Sequence, residues 1–440
     1  MLAIAHYVGV FLHVGSIFSP TDALYDYSSD CVVFVLSFWL SMYAIGLYQY
    51  EAYEDLQVLL LRLAVSFALG AVAIATLQFA LKDLTLWRQT LLIAMVSGFL
   101  GVVFVRWLWS PLLRSPTFRR RVLVLGAGGN ASRIAALASA RIAKTFACVG
   151  FIPLENEAIS VSPQLVLRAA EPLARLVDRY RIDEIVVASD NKHAPLPLDE
   201  LLDVKLSGTP VFHCSTFFER QTGLIDLDSV DQSWLIFSSG FGGNRLERFA
   251  KRAFDFAVSA IFLIVTLPLL VLVALAVKLE SHGPVFYRQE RVGLYGKPFM
   301  LLKFRSMTTE AEKDGVPRWS VAGDHRITRV GAFLRRTRID EIPQMLNVLA
   351  GDMSLVGPRP EREYFVANLT RQIPYYFERH RVKPGISGWA QINFPYGASV
   401  QDAKAKLQFD LYYIKNYSLI LDFMIMLQTL RVVLWPDANR

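Results

Sequence analysis

Lys251-Arg-Ala-Phe-Asp-Phe-Ala-Val-Ser-Ala-Ile-Phe-Leu-Ile-Val-Thr-Leu-Pro-Leu-Leu-Val-Leu-Val-Ala-Leu-Ala-Val-Lys278 holds the apolar segment on which the architecture turns. From Phe254 to Val277 its only charge is Asp255, and the run is long enough to cross a bilayer core of about 30 Å. Pro268 sits in the middle, where it deletes a backbone hydrogen bond and kinks a helix at a cost of about 3 kcal/mol. Basic residues flank both ends, Lys251 and Arg252 before and Lys278 after, which favours both ends on one membrane face. A helix crossing the membrane is one reading. A re-entrant helix-break-helix over about 250–278, turning at Pro268, is the one we favour.

Upstream, the apolar mass is unevenly spread. The 440-residue chain is 53% hydrophobic, too oily for an ordinary soluble enzyme, and nearly every other long uncharged run precedes Trp109. Cys31 to Tyr48, Leu56 to Leu81 and Leu91 to Trp109 each carry spanning character, while Leu2 to Phe18 is apolar but short and broken by His6 and His13. We therefore expect three or four spans within 1–110. Arg106, Arg114, Arg119, Arg120 and Arg121 cluster after the last span, which puts the following chain in the cytoplasm by the positive-inside rule; Ser19 to Asp30, with three aspartates and no Lys or Arg, fits an external loop. Lys82 and Arg88 point weakly the other way. With 46 Lys+Arg against 39 Asp+Glu, the net charge of +7 suits anionic headgroups or phosphorylated substrates, and on charge alone nucleic acid as well. Cys31, Cys148 and Cys214 stand far apart, with no Cys-x-x-Cys pair, so neither a zinc site nor a disulfide framework is signalled. The N-terminus does not read as a removable signal peptide.

From Arg121 the pattern becomes strand and helix alternation, expected over 119–240. Val122 to Leu125 leads into the turn Gly126-Ala-Gly-Gly129 and a helix from Ile134 to Ala143; strands follow at Cys148 to Ile152, Glu184 to Ala188 and Pro210 to His213, with a helix at Glu171 to Tyr180. This predicts a Rossmann-like parallel sheet. The glycine turn can cradle a pyrophosphate on the next helix N-terminus, with Asn130 and Arg133 as phosphate contacts. The match is incomplete, because the third fingerprint glycine is Ala131 and no clear acidic residue closes the second strand. A structural or regulatory domain is the favoured alternative. Ser238-Ser-Gly-Phe-Gly-Gly243 then reads as a linker.

Five motifs follow: Gly283-Pro-Val-Phe-Tyr-Arg-Gln-Glu-Arg-Val-Gly293, Lys297-Pro-Phe with Lys303-Phe-Arg-Ser-Met307, Arg338-Ile-Asp-Glu-Ile-Pro-Gln344, Ser354-Leu-Val-Gly-Pro-Arg-Pro360 and Lys383-Pro-Gly-Ile-Ser-Gly-Trp-Ala-Gln391. Together they resemble the bacterial sugar transferase, or monotopic phosphoglycosyl transferase, family over about 245–440. The membrane and Rossmann-like preface resembles the large form that initiates exopolysaccharide or O-antigen synthesis. The resemblance implies a mostly α monotopic catalytic domain on the cytoplasmic face of the bacterial inner membrane. Its implied reaction moves hexose-1-phosphate from a UDP-sugar to polyprenyl (undecaprenyl) phosphate, releasing UMP through an aspartyl phosphosugar intermediate. It assigns Asp340 as nucleophile and Glu341 as Mg²⁺ ligand, and places the Pro-Arg-Pro element near them. A crossing at 254–277 would put that site outside, away from nucleotide sugars.

The residues themselves support such chemistry. Transfer between anionic phosphates needs a nucleophile, a divalent cation and fixed positive charge. Asp340 and Glu341 follow Arg335, Arg336 and Arg338, whose charge is expected to lower the aspartate pKa. A carboxylate-rich, water-retaining site suits Mg²⁺ better than zinc. Lys303 and Arg305 share one face of an expected strand, Met300 to Phe304, and can grip a diphosphate. Arg359 lies between two prolines that preorganise it for a bidentate phosphate contact. Lys303, Arg305, Arg336, Arg338 and Arg359 are thus the expected phosphate ligands. His325 stands where the family usually has proline and reads as a surface residue. Trp389 can stack on uracil or sit in a core. Leu419 to Trp435 reads as an interfacial helix or a buried one. Phe394-Pro-Tyr-Gly397 resembles an exopolysaccharide subgroup and points to a glucose or galactose donor. A homodimer is compatible with all of this, and no nucleic-acid partner is expected. Two rivals were weighed. A membrane-anchored NAD-dependent nucleotide-sugar dehydratase or epimerase places Tyr-x-x-x-Lys in its site, and no tyrosine here has lysine four residues later. A non-catalytic assembly scaffold would leave a full set of nucleophile, metal and phosphate ligands unused.

Overall fold

The computed structural model describes residues 1–14, 28–48, 56–80, 88–113, 119–139, 146–155, 157–167, 171–191, 195–228, 240, 245–308, 326–394, 397 and 399–434. Two compact units divide the chain, Met1–Ser229 and Val230–Arg440.

The first unit opens with four apolar helices, α1 (Leu2–Val14), α2 (Ser28–Ala44), α3 (Leu56–Ala80) and α4 (Arg88–Leu113). Phe34, Phe38, Met42, Leu63, Phe67 and Ile74 form their shared core, with Phe34, Phe38 and Phe67 in successive ring contacts at 4.6 and 4.7 Å between centroids. Small residues let α1 approach α4 closely: a Cβ on Gly9 would lie 2.6 Å from the Thr90 carbonyl oxygen. Within α3 and α4, Leu59–Phe79 and Arg88–Trp109 are long and apolar enough to cross a membrane. The stretch expected to span from Cys31 to Tyr48 forms the 17-residue α2, at the lower end of the spanning range. It ends at Ala44 because Gly46 adopts positive φ in the turn that follows. Arg62 of α3 and Arg106 of α4 donate to the carbonyls of that turn, Gly46 and Leu47, at 3.2 and 3.1 Å. α1 is likewise a short helix of 13 described residues. Of the expected external loop, Ser28, Ser29 and Asp30 form the first turn of α2 and the rest lies outside the described residues, as do Lys82 and Arg114.

The same unit then forms a four-stranded parallel sheet ordered β2-β1-β3-β4, with β1 Arg120–Leu125, β2 Phe146–Ile152, β3 Glu184–Val187 and β4 Val211–His213. An isolated parallel bridge from Val166 to Phe151 flanks β2; counted as a strand, it completes the Rossmann order, third-second-first-fourth-fifth. Helices α5 (Gly129–Ser139), α6 (Leu173–Tyr180), α7 (Leu198–Leu206) and α8 (Cys214–Thr222) accompany it. Val122, Val124 and Val186 face one buried cluster with Ile134 and Phe217; Leu123, Leu125 and Ile185 face another with Leu176 and Val204. Strands buried on both faces explain the unbroken apolar runs seen in the sequence. The expected linker, Gly240 excepted, is outside the described residues.

The second unit begins with α9 (Arg245–Glu280), 36 residues with Pro268 inside, which is the third helix long and apolar enough to cross a membrane. An antiparallel hairpin follows, β5 (Phe286–Val292) and β6 (Pro298–Phe304), with Tyr287 opposite Lys303. Next come α10 (Arg329–Thr337), a 3-10 turn Ile339–Glu341, α11 (Gln344–Ala350), β7 (Ser354–Val356), α12 (Glu363–Gln372), a 3-10 turn Tyr376–Arg381, β8 (Gly385–Ser387), α13 (Trp389–Asn393), α14 (Val400–Lys415) and α15 (Leu419–Leu434). β7 and β8 pair in parallel, and the backbones approach so closely that a Cβ on Gly385 would lie 2.0 Å from the Gly357 nitrogen. Only glycine fits, which explains one glycine of the Lys383-Pro-Gly motif without any ligand. α15 buries Leu421, Asp422 and Ile425 and leaves Ile420 and Phe423 exposed, so it is a docked helix with an apolar outer face.

Candidate active site

Arg338 places the two adjacent carboxylates. It closes α10 in the left-handed conformation (φ 59°), uncommon for a residue with a Cβ, and starts the 3-10 turn that carries Asp340 and Glu341. Asp340 is turned inward and buried, and its Oδ1 is enclosed without a hydrogen-bond partner among the described residues.

Glu341 is held by cations from two other elements. Its Oε1 accepts from Lys303 Nζ of β6 and from Arg359 Nη2, each at 2.8 Å, with Arg338 Nη1 at 3.9 Å. Asn347 of α11 fixes β6 for this purpose. Its Oδ1 accepts from the Leu302 N–H at 3.0 Å and its Nδ2 donates to the Met300 carbonyl at 2.8 Å, on either side of Leu301, two residues before Lys303. No sequence signal marked Asn347.

These contacts drive the two acids apart. Burial alone would raise Glu341, but Arg359, Lys303 and Arg338 outweigh it and hold the carboxyl well below the usual range. For Asp340, burial joined by the Glu341 charge pushes the pKa above its ordinary value, against Lys303, Arg335 and Arg338. The neighbouring arginines do pull the Asp340 pKa down, as expected, but burial and Glu341 outweigh them, so the expectation of a lowered pKa is corrected. Arg335 spends Nε on Ser306 Oγ at 3.0 Å and Nη2 on Met307 Sδ at 3.4 Å, and the strongest cations sit on Glu341.

The other expected ligands separate. Lys303, Arg338 and Arg359 converge on Glu341, whereas Arg336 is exposed. Arg305 is buried at 6% exposure and donates to the carbonyls of His282, Ser281 and Val277 at 2.9, 2.7 and 3.3 Å, capping the end of α9. The phosphate grip expected of Arg305 is thus replaced by a structural task, because the strand turns its side chain toward α9's last carbonyls. Trp389 stacks on Tyr412 of α14, with ring centroids 5.7 Å apart and planes at 24°. His325, Pro395 and Tyr396 lie outside the described residues.

No cluster of three or more His, Cys, Asp or Glu able to hold a metal occurs among the described residues. Mg²⁺ ordinarily takes one or two protein carboxylates and completes its shell with water and substrate phosphates. Asp340 Oδ1, an unspent buried acceptor beside Glu341, fits that partial donor set.

The glycine turn of the first unit is already filled by the chain's own acids. Asp190, just after β3, accepts from the backbone N–H of Gly129 and, at 2.8 Å, from that of Asn130; Glu157 accepts from the Ala127 N–H at 2.8 Å. Asn130 Nδ2 donates to the Ser189 carbonyl at 3.1 Å, and Arg133 pairs with Asp226 at 2.6 Å. The N–H groups of Ala127, Gly129 and Asn130 and the side chains of Asn130 and Arg133 thus each have a partner within the chain.

Comparison with known proteins adds two family matches: the bacterial sugar transferase family over residues 246–436, and a family described as a CoA-binding domain over residues 43–191. Among curated relatives, a UDP-N-acetylgalactosamine-undecaprenyl-phosphate N-acetylgalactosaminephosphotransferase of Aeromonas hydrophila is 43% identical over 229 residues, 52% of this chain and 53% of its own length. An undecaprenyl-phosphate glucose phosphotransferase of Komagataeibacter xylinus is 34% identical over 351 residues, 75% of this chain and 63% of its own. A UDP-glucose:undecaprenyl-phosphate glucose-1-phosphate transferase of Caulobacter vibrioides is 42% identical over 189 residues, 42% of this chain and 70% of its own. The chain thus spans about half to two thirds of the first two relatives. The chain belongs to the bacterial sugar transferase family.

Proposed function

We propose that this chain transfers hexose-1-phosphate from a UDP-sugar to polyprenyl phosphate at the cytoplasmic face of the inner membrane, as the first membrane step of exopolysaccharide or O-antigen synthesis. One observation carries the reading: a buried aspartate with an unspent oxygen stands beside a glutamate already neutralised by Lys303 and Arg359. One turn of chain carries the two acids, and cations from two other elements, Lys303 and Arg359, meet them there.

In the first half-reaction an Asp340 oxygen forms a bond to the sugar-bearing β-phosphorus, and the bond from that phosphorus to the bridging oxygen breaks, releasing UMP. In the second, a polyprenyl phosphate oxygen attacks the same phosphorus and the aspartyl bond breaks, regenerating the carboxylate and giving polyprenyl diphosphate-sugar. Asp340 must be ionised to begin, and Lys303, Arg335 and Arg338 favour that form. Arg359 and Lys303, within reach of one Glu341 oxygen, are the cations placed to share charge with an incoming diphosphate. Glu341 and Asp340 are the residues that would hold Mg²⁺, which when bound supplies charge neutralisation on the diphosphate.

The re-entrant anchor belongs to this proposal. If α9 ran straight, Arg252 and Val277 would stand about 37 Å apart at 1.5 Å per residue. Yet Arg252 donates to the carbonyls of Val348 and Leu349, while Val277 packs in a cluster with Ile339. Ile339 and Val348 are nine residues apart in helical turns, about 15 Å. Both halves of α9 thus dock on one short stretch, which supports a bend at Pro268 and both ends on one face. Division into a membrane part (1–110), a Rossmann-like part (119–240) and a catalytic part (245–440) is proposed on the same footing.

Glucose is the first donor to test, because the Komagataeibacter relative named for it matches three quarters of this chain. Membranes containing the chain should release UMP from UDP-glucose when polyprenyl phosphate is present, and Asp340→Asn should abolish it. Undiminished UMP release in Asp340→Asn would sink the proposal.

A further inference from the structure

The Pro358-Arg359-Pro360 segment is held from its backbone by a buried ion pair that has no contact with the paired acids. Arg379, in the 3-10 turn Tyr376–Arg381, donates from Nη2 to the Arg359 carbonyl at 3.1 Å. The same guanidinium grips Asp410 Oδ2 of α14 through Nε at 3.1 Å and Nη2 at 2.8 Å, and gives Nη1 to the Tyr376 hydroxyl at 2.9 Å. Its side chain is 6% exposed and that of Asp410 2%. A second arginine, Arg291 of β5, donates to the Pro360 carbonyl at 3.1 Å.

Two considerations set this pair apart from ordinary core packing. Removing two charges from water costs several kcal/mol per ion, so a buried pair is a poor stabiliser beside apolar residues of the same volume. What a guanidinium adds is direction, because its donors leave a rigid plane at fixed angles. Here that plane is locked by Asp410 and Tyr376, and the remaining donor direction falls on the carbonyl of the one residue whose side chain reaches Glu341 from this segment. Prolines on both sides of Arg359 limit its backbone further, so fixing its carbonyl fixes where its side chain starts.

We propose that Arg379 and Asp410 are positioning residues of the transfer reaction, which aim Arg359 at Glu341 and the incoming phosphate by clamping the Arg359 carbonyl. This rests on Arg359 being a phosphate ligand, as proposed above. Arg379 touches no reacting atom and acts only through Arg359.

A double-mutant cycle on the full chain in nanodiscs tests it, with UMP release from UDP-glucose as readout. Arg379→Lys keeps the charge opposite Asp410 but cannot fork between Asp410 and the carbonyl. A misplacement of about 1 Å costs on the order of 100-fold, and that loss is expected in kcat/KM for Arg379→Lys. In an Arg359→Met background the same change is expected to cost less than about threefold, because the side chain being aimed is gone. A full loss in both backgrounds would make Arg379 merely structural and overturn the proposal, as would no loss in either. If Arg379→Lys does not fold, Asp410→Asn replaces it, with a smaller loss that must also vanish beside Arg359→Met; an independent loss overturns the proposal equally. Failure here is distinct from failure of the reaction itself, which Asp340→Asn reports.

Discussion

With Glu341 Oε1 shared between Lys303 and Arg359, the two adjacent acids take opposite ionisation tendencies, and both consequences can be measured. Asp340 carries a raised pKa that Lys303 restrains, so kcat/KM should fall on the acid side as Asp340 gains a proton. Lys303→Met removes a cation that favours the charged form, so the acid limb should move to higher pH, beside a direct rate loss on the order of 100-fold. An unmoved limb would mean that Lys303 does not act on Asp340. For stability the relevant group is Glu341, whose shift has the opposite sign. Glu341 has a depressed folded-state pKa, so its contribution is complete above the ordinary glutamate range and is lost as pH falls through and below it. Glu341→Ala, which leaves two cations facing each other, should lower stability by about 1–3 kcal/mol at pH 7. The gap from the native chain should shrink as unfolding is followed toward pH 4; a constant gap contradicts the pairing. At this scale the sequence was informative about residue types and blind to partners. Asp340-Glu341 among arginines was legible as a site, but which acid the cations would hold depends on Asn347 locking β6 from 45 residues away, and no local pattern encodes that. Arg305 shows the same limit: two residues after Lys303 and one past the end of β6, it serves helix carbonyls instead.

At the scale of elements, α9 and the glycine turn carry the account. A helix of 36 residues with an internal proline reads equally as a crossing or a hairpin until its two halves are seen on one surface. Cysteines at Leu246 and Leu279, both exposed, should react with a membrane-impermeant maleimide from the same side in membrane vesicles. Labelling from opposite sides would make α9 a crossing helix. The Gly126–Gly129 turn was legible as a Rossmann entry because a strand precedes it and a helix follows. Its occupant was not, since Asp190 lies 60 residues beyond Asn130 and enters only through the pairing of β1 with β3. Asp190→Ala should cost about 1 kcal/mol, as loss of a helix cap does, and should speed amide exchange at Gly129 and Asn130. Unchanged exchange there would show that these amides do not depend on Asp190.

Across the whole molecule, apolar helices and a charged catalytic unit divide the labour that the composition announced. Hydropathy marked helices long and apolar enough to cross a membrane, because chain facing lipid must be apolar and internally hydrogen-bonded. α2 sits at the short end of that range, its run closed by a glycine turn pinned by two arginines. The proposed reaction turns on one chemical event, formation of a bond between Asp340 and a phosphosugar. The most direct measurement is peptide mass spectrometry of the full chain after brief exposure to UDP-glucose without lipid acceptor. The account predicts a hexose-phosphate adduct on the peptide containing Asp340, cleared when polyprenyl phosphate is added. An adduct on another residue, or turnover with none under rapid quench, would contradict it.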